Sequence, residues 1–118
     1  MNDPQAGAHD DGTIYVLNVL WFKPGGAERY QDYLDATRPL VEGLGGAFLE
    51  PFTVVNALEG PVDADLVFFG RYASQEALFA MLESPEYQAV FHLREEAVER
   101  SFTSICRRAD LTEPPGPR

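Results

Sequence analysis

Residues 13–22, TIYVLNVLWF, limit the possible folds most, because they read as a strand that is apolar on both sides. β-Branched and aromatic residues fill the run, and Lys23-Pro24-Gly25-Gly26 closes it with a turn. Side chains alternate along a strand, so Ile14, Val16, Leu20 and Phe22 share one face, and Tyr15, Leu17, Val19 and Trp21 share the other. Both faces then need cover. Residues 65–72 repeat the pattern, with Leu66, Phe68 and Tyr72 set against Val67 and Phe69.

The segments around these strands follow from spacing and punctuation. Residues 27–44 carry Tyr30, Tyr33, Leu34, Thr37, Leu40, Val41 and Leu44 at helical intervals and stop at Gly45-Gly46, which can supply a left-handed cap. Pro39 inside this helix should bend it near Asp35, where a backbone bond is lost. Residues 47–58 read as a second strand, and Pro51 gives it an edge position because proline has no N–H to donate. Ser74 starts a short helix bearing Ala77, Leu78, Met81 and Leu82. Residues 84–100, SPEYQAVFHLREEAVER, form the last helix, and residues 101–107 the last strand. The order β-α-β-β-α-α-β is that of an α+β, ferredoxin-like β-α-β-β-α-β protomer with an extra helical segment before the final strand. In that fold helices cover one face of the sheet. The apolar second face is of the kind that marks an interface, so a homodimer formed sheet to sheet is expected.

Bulk properties set limits on function. The chain of 118 residues is long enough for one domain, assigned to residues 13–108, with disordered tails at 1–12 and 109–118. Nine basic against nineteen acidic residues give a net charge of −10, which argues against nucleic acid or an anionic membrane as partner. No apolar run is long enough to span a bilayer and no secretion signal is visible, so a cytoplasmic protein is expected. Cys106 is the single cysteine and reads as an apolar packer in a strand. Two histidines and no ligand spacing give no reason to expect a metal or cofactor.

Within the last helix Ser84 suits the N-cap, Pro85 the first turn and Glu86 the positive end of the dipole. Tyr87, Val90, Phe91, Arg94, Ala97 and Val98 make the apolar stripe, and Gln88, His92, Glu95, Glu96 and Glu99 the opposite side. Arg94 is out of place. Either it lays its stem on the core and keeps its head in water, or it holds an anion in a pocket. His92, the obvious general base by residue type, falls on the solvated side. Asn18 is the second misplaced residue, an amide among apolar neighbours on a central strand, where it either bonds a nearby loop or contacts a ligand. Tyr30, Tyr33, Tyr72 and Tyr87 can reach the same space. Arg71 should lie on the outer sheet face, where Glu50 is a possible partner.

With this order and the Ser84-Pro85-Glu86-Tyr87 run ahead of Arg94, the chain resembles the DUF1330 family of the dimeric α/β-barrel superfamily. Tyr30-x-x-Tyr33, Pro39 and Gly45-Gly46 belong to the resemblance, which covers about residues 15–107. It implies the protomer and dimer described above, and no common reaction. The wider superfamily includes antibiotic-biosynthesis and haem-degrading monooxygenases, and Asn18 looks like the asparagine such enzymes carry on their first strand. Phe91 stands where the haem degraders have histidine and Tyr72 where they have tryptophan, which speaks against haem.

These readings converge on a cofactor-independent enzyme of small-molecule metabolism with a pocket between sheet and helices. Arg94 would hold a carboxylate or developing oxyanion, Tyr87 and Asn18 would give hydrogen bonds, and Leu20, Phe22, Tyr30, Tyr33, Tyr72 and Phe91 would wall the site. Monooxygenation of an electron-rich aromatic and a cyclisation or isomerisation are both compatible with this set. A non-catalytic binding or carrier dimer is the alternative, and a pocket filled by its own side chains is a third.

Overall fold

A computed structural model describes residues 12–112. The elements are β1 (Ile14–Phe22), α1 (Gly26–Gly43), β2 (Ala47–Phe48), β3 (Leu66–Tyr72), α2 (Gln75–Glu83), α3 (Pro85–Ala97) and β4 (Val98–Cys106). The strands form one antiparallel sheet in the order β2-β3-β1-β4, so the two strands that are apolar on both sides are the central pair. This is the expected ferredoxin-like α+β arrangement. Residues 1–11 and 113–118, which carry most of the expected tails, lie outside the described residues.

Register fixes which side chains meet. Asn18 is opposite Phe68 on β3 and Thr103 on β4, which puts Ile14, Val16, Asn18, Leu20, Phe68, Tyr72, Ser101, Thr103 and Ile105 on the face under the helices. The opposite face carries Tyr15, Leu17, Val19, Trp21, Val67, Phe69, Arg71 and Phe102. Ile14, Leu20, Tyr30, Val41, Phe68 and Ala97 form the centre of the core.

Two strand boundaries differ from expectation. The second strand was expected over 47–58, yet regular pairing covers only Ala47–Phe48, with a bridge from Phe52 to Val67 beyond it. Four steps from Phe48 to Phe52 face three from Gly70 to Val67, so one extra residue bulges out beside Pro51. Past Phe52 the neighbour strand β3 ends at Leu66. The apolar stretch after it, including Val55 and Leu58, therefore has no backbone to pair with and is exposed. The last helix, expected to reach Arg100, ends at Ala97, and β4 takes over at Val98. There Val98 pairs with Phe22 and Arg100 with Trp21, leaving Glu99 as the bulge residue. A partner strand was available, and pairing with it replaced the last helical turn.

The helices follow their local signals. Ser84 serves both α2 and α3: its hydroxyl donates to the Met81 carbonyl (2.7 Å) and accepts from the Tyr87 N–H (3.1 Å), so it closes one helix and starts the next. Pro39 lies within α1, which continues as one element through it. Gly45 follows α1 with φ +78°, a left-handed conformation natural for glycine.

Candidate functional site

The three helices and the sheet line a half-open cavity of about 450 Å³. β1 supplies Val16 and Asn18 to its floor, β3 Phe68 and Tyr72, and β4 Ser101, Thr103 and Ile105. α1 contributes Tyr30, Tyr33 and Leu34, α2 contributes Leu78, Phe79 and Met81, and α3 contributes Tyr87, Phe91 and Arg94. An open space of this size counts against the reading in which the protein fills its own pocket.

The helical period of α3 positions the charged group. Tyr87 and Ala97 are buried and Phe91 and Arg94 half-buried along one stripe, while Gln88, His92, Glu95 and Glu96 are exposed on the other side. Arg94 Nη2 donates to Ser101 Oγ (3.2 Å) across the junction from α3 to β4. None of the ion pairs among the described residues involves Arg94. The cation therefore faces a mainly apolar chamber with a neutral hydroxyl as its hydrogen-bond acceptor. His92 is on the surface, away from this chamber.

The tyrosines form the rest of the polar lining. The hydroxyls of Tyr33 and Tyr87 lie 2.7 Å apart and tie α1 to α3. Tyr30 packs on Tyr33 (ring centroids 5.2 Å apart) and on Phe22 (5.4 Å). Burial pushes the Tyr30, Tyr33 and Tyr72 phenols up, Tyr72 to about 12, because the charged form loses its water. The nearby Arg94 charge pulls Tyr30 and Tyr33 back only in part. All three phenols are therefore neutral donors at physiological pH. Asn18 donates from Nδ2 to the Val16 carbonyl (3.1 Å), two residues back on the same strand, and its amide lines the cavity.

Seven of the nine residues singled out from the sequence thus come together: Asn18, Tyr30, Tyr33, Tyr72, Tyr87, Phe91 and Arg94. Leu20 and Phe22 do not line the cavity. Leu20 is fully buried beneath the helices, and Phe22, at the far end of β1, borders a separate shallow groove beside Lys23 and Asp65. Alternation placed them on the correct face, but the cavity spans only the other part of the strand. Ser101 and Thr103 were missed. Their inward direction follows from the register with β1, and the expected start of β4 three residues too late obscured it. Arg71 lies on the outer face, with no ion pair to Glu50 among the described residues. No group of three or more potential metal ligands occurs among the described residues.

Sheet and helices define a ferredoxin-like α+β domain with a half-open cavity between its layers. The chain belongs to the DUF1330 family, a domain of unknown function whose pattern matches residues 15–106. It is similar to the RPA0582 protein of Rhodopseudomonas palustris, a protein of unknown function, at 27% identity and TM-score 0.79, covering 96% of each chain. A candidate antibiotic biosynthesis monooxygenase from Bacteroides thetaiotaomicron shares the fold at 16% identity and TM-score 0.58, covering 91% of this chain and 95% of that one. A dimeric protein of unknown function and ferredoxin-like fold from Bacteroides fragilis shares it at 12% identity and TM-score 0.52, covering 82% and 97%. No curated protein matches the chain. No helix among the described residues is long and apolar enough to cross a membrane.

Proposed function

We propose that the cavity binds a small apolar or aromatic molecule bearing a carboxylate or enolate oxygen, and that the protein turns this molecule over without a cofactor. The observation that carries the proposal is Arg94, a permanent cation on the cavity wall with no carboxylate partner among the described residues. An anionic oxygen is the natural complement to that charge, and a negative charge that grows during reaction would be held by the same guanidinium. Tyr87 and Asn18 line the same cavity as neutral hydrogen-bond groups. Isomerisation, cyclisation and substrate-activated monooxygenation can each run through an enolate or phenolate that such a cation stabilises, and the similarity of fold to a candidate monooxygenase agrees with the last of these.

One observation favours a second reading, a non-catalytic carrier. Among the described residues the cavity wall contains no Asp, Glu, His or Lys, and Tyr30, Tyr33 and Tyr72 hold their protons too firmly to act as bases near neutrality. A substrate that ionises by itself, or that is only carried, needs no base.

The working unit of this proposal is a homodimer joined through the outer sheet face, where Phe69 and Phe102 remain 39% and 56% exposed. The naming of the Bacteroides fragilis protein as dimeric agrees with it. The thiol of Cys106 is free, as suits a reducing compartment such as the cytoplasm.

Native mass spectrometry of the purified protein, followed by release and identification of any retained molecule, tests the reading. A small acid held by the wild type and lost from Arg94→Gln is the expected result. Retention or turnover unchanged in Arg94→Gln would remove the arginine from the function, and release of the molecule chemically unaltered under all conditions would favour the carrier.

A further inference from the structure

The contact between Tyr33 and Tyr87 leaves a hydrogen-bond donor over. Their hydroxyls are 2.7 Å apart and either one can be the donor. Each phenol has a single O–H proton. One proton closes the bond between them, and the other has no acceptor among the described residues. Both side chains are buried and both line the cavity, so the unspent proton is available to whatever enters. An oxygen placed there by a ligand would give that donor an acceptor inside a mainly apolar space.

The other polar group of the lining is Arg94 with Ser101. The Arg94 charge is felt at Tyr30 and also at Tyr33, so the arginine and the tyrosine pair share one chamber. Apolar side chains such as Phe68, Leu78 and Met81 complete the wall. The lining thus offers a cationic donor and a separate neutral donor within a mainly apolar space.

We infer that the cavity is built for an apolar or aromatic acid that carries a second, uncharged oxygen acceptor, a ketone or lactone carbonyl, held by the spare hydroxyl of the Tyr33–Tyr87 pair while the acid group meets Arg94. This rests on the anion-binding reading of Arg94 given above. An acid of the same size without the carbonyl fills the same space but leaves the phenol unpaired. Sites built around a hydrogen bond reject analogues that lack the partner.

Titration calorimetry with three matched pairs of acids tests the inference: benzoylformate against phenylacetate, 3-benzoylpropionate against 4-phenylbutyrate, and 4-benzoylbutyrate against 5-phenylvalerate. At least one keto acid should bind about 5- to 10-fold tighter than its partner, the ratio expected of one neutral hydrogen bond. In the double variant Tyr33→Phe/Tyr87→Phe that ratio should fall to about 2-fold or less, while the affinity for the acid lacking the carbonyl is kept. Equal affinities within all three pairs, or a preference undiminished in the folded double variant, would overturn the inference and leave the anion site standing. If no acid binds, or if Arg94→Gln weakens none of them, both fall together. Should the double variant not fold, the wild-type ratios and the single Tyr33→Phe and Tyr87→Phe variants decide.

Discussion

The backbone of Gly26 lies directly against the carbonyl of Ala97, joining the first turn of α1 to the last residue of α3. The same carbonyl accepts the Lys23 N–H at 2.9 Å, and Lys23 Nζ donates to the Glu95 carbonyl at 2.9 Å. The turn after β1 therefore satisfies the open end of α3, and a side chain at position 26 would meet backbone that cannot move aside. We predict that Gly26→Ala costs about 1–3 kcal/mol, despite the better helix propensity of alanine. Urea denaturation followed by circular dichroism measures it; a gain in stability would mean that this contact is looser than described.

Ser84 acts on two helices at once, and Ser84→Ala removes both bonds. The loss should be about 1–2 kcal/mol, toward the upper part of the range for a helix N-cap. Ser84→Asp keeps an acceptor for the Tyr87 N–H but has no donor for Met81, so its melting temperature should fall between those of the wild type and the alanine variant.

On the proposed reading Arg94 serves binding more than stability. Its guanidinium has no counter-ion among the described residues, so Arg94→Met, which keeps the stem and drops the charge, should leave the unfolding free energy within about 1 kcal/mol of wild type or raise it. Binding of acids should be lost in the same variant. A large destabilisation without loss of binding would identify Arg94 as a structural residue.

Alkaline pH should unfold the protein in a defined window. In the unfolded chain tyrosines ionise near pH 10. Folding pushes Tyr72 up to about 12 and raises Tyr30 and Tyr33 as well, so above pH 10 the unfolded state releases protons that the folded state retains. The stability contribution is complete below pH 10 and declines as pH rises toward 12. Tyrosinate absorbance from these residues should therefore appear together with loss of near-ultraviolet dichroism. Ionisation well ahead of unfolding would contradict the burial assigned to them.

The outer face can be broken at one residue. Phe102 stacks edge-on against Trp21, with ring centroids 5.5 Å apart, and Arg100 lies 3.9 Å from the centroid of the same indole. Phe102→Asp would put an acid in the middle of the proposed interface. Size-exclusion chromatography with light scattering should find a dimer for wild type and a folded monomer for the variant. A wild-type monomer at micromolar concentration would remove the dimer.

The periodicities of the chain determined its layers. Alternation in residues 14–22 and 66–72 named the central strands, Pro51 named the edge, and the stripe through Tyr87, Phe91 and Arg94 placed the arginine on the inner side and His92 in solvent. These features were legible because each is set by neighbours a few residues away. The junction of α3 and β4 was not, since Val98, Glu99 and Arg100 have a helical sequence context and became strand only because the edge of β1 was free to pair with them. The same pairing brought Ser101 to Arg94 and turned Thr103 inward, and packing of α1 on α3 set the Tyr33 and Tyr87 hydroxyls in contact. Depth is also a tertiary property: Leu20 and Val16 share a face and a residue type, yet only Val16 borders the cavity, because the helices close down over Leu20. Sequence fixes which way a side chain points along its own element, and only the packing of distant elements decides what it meets there.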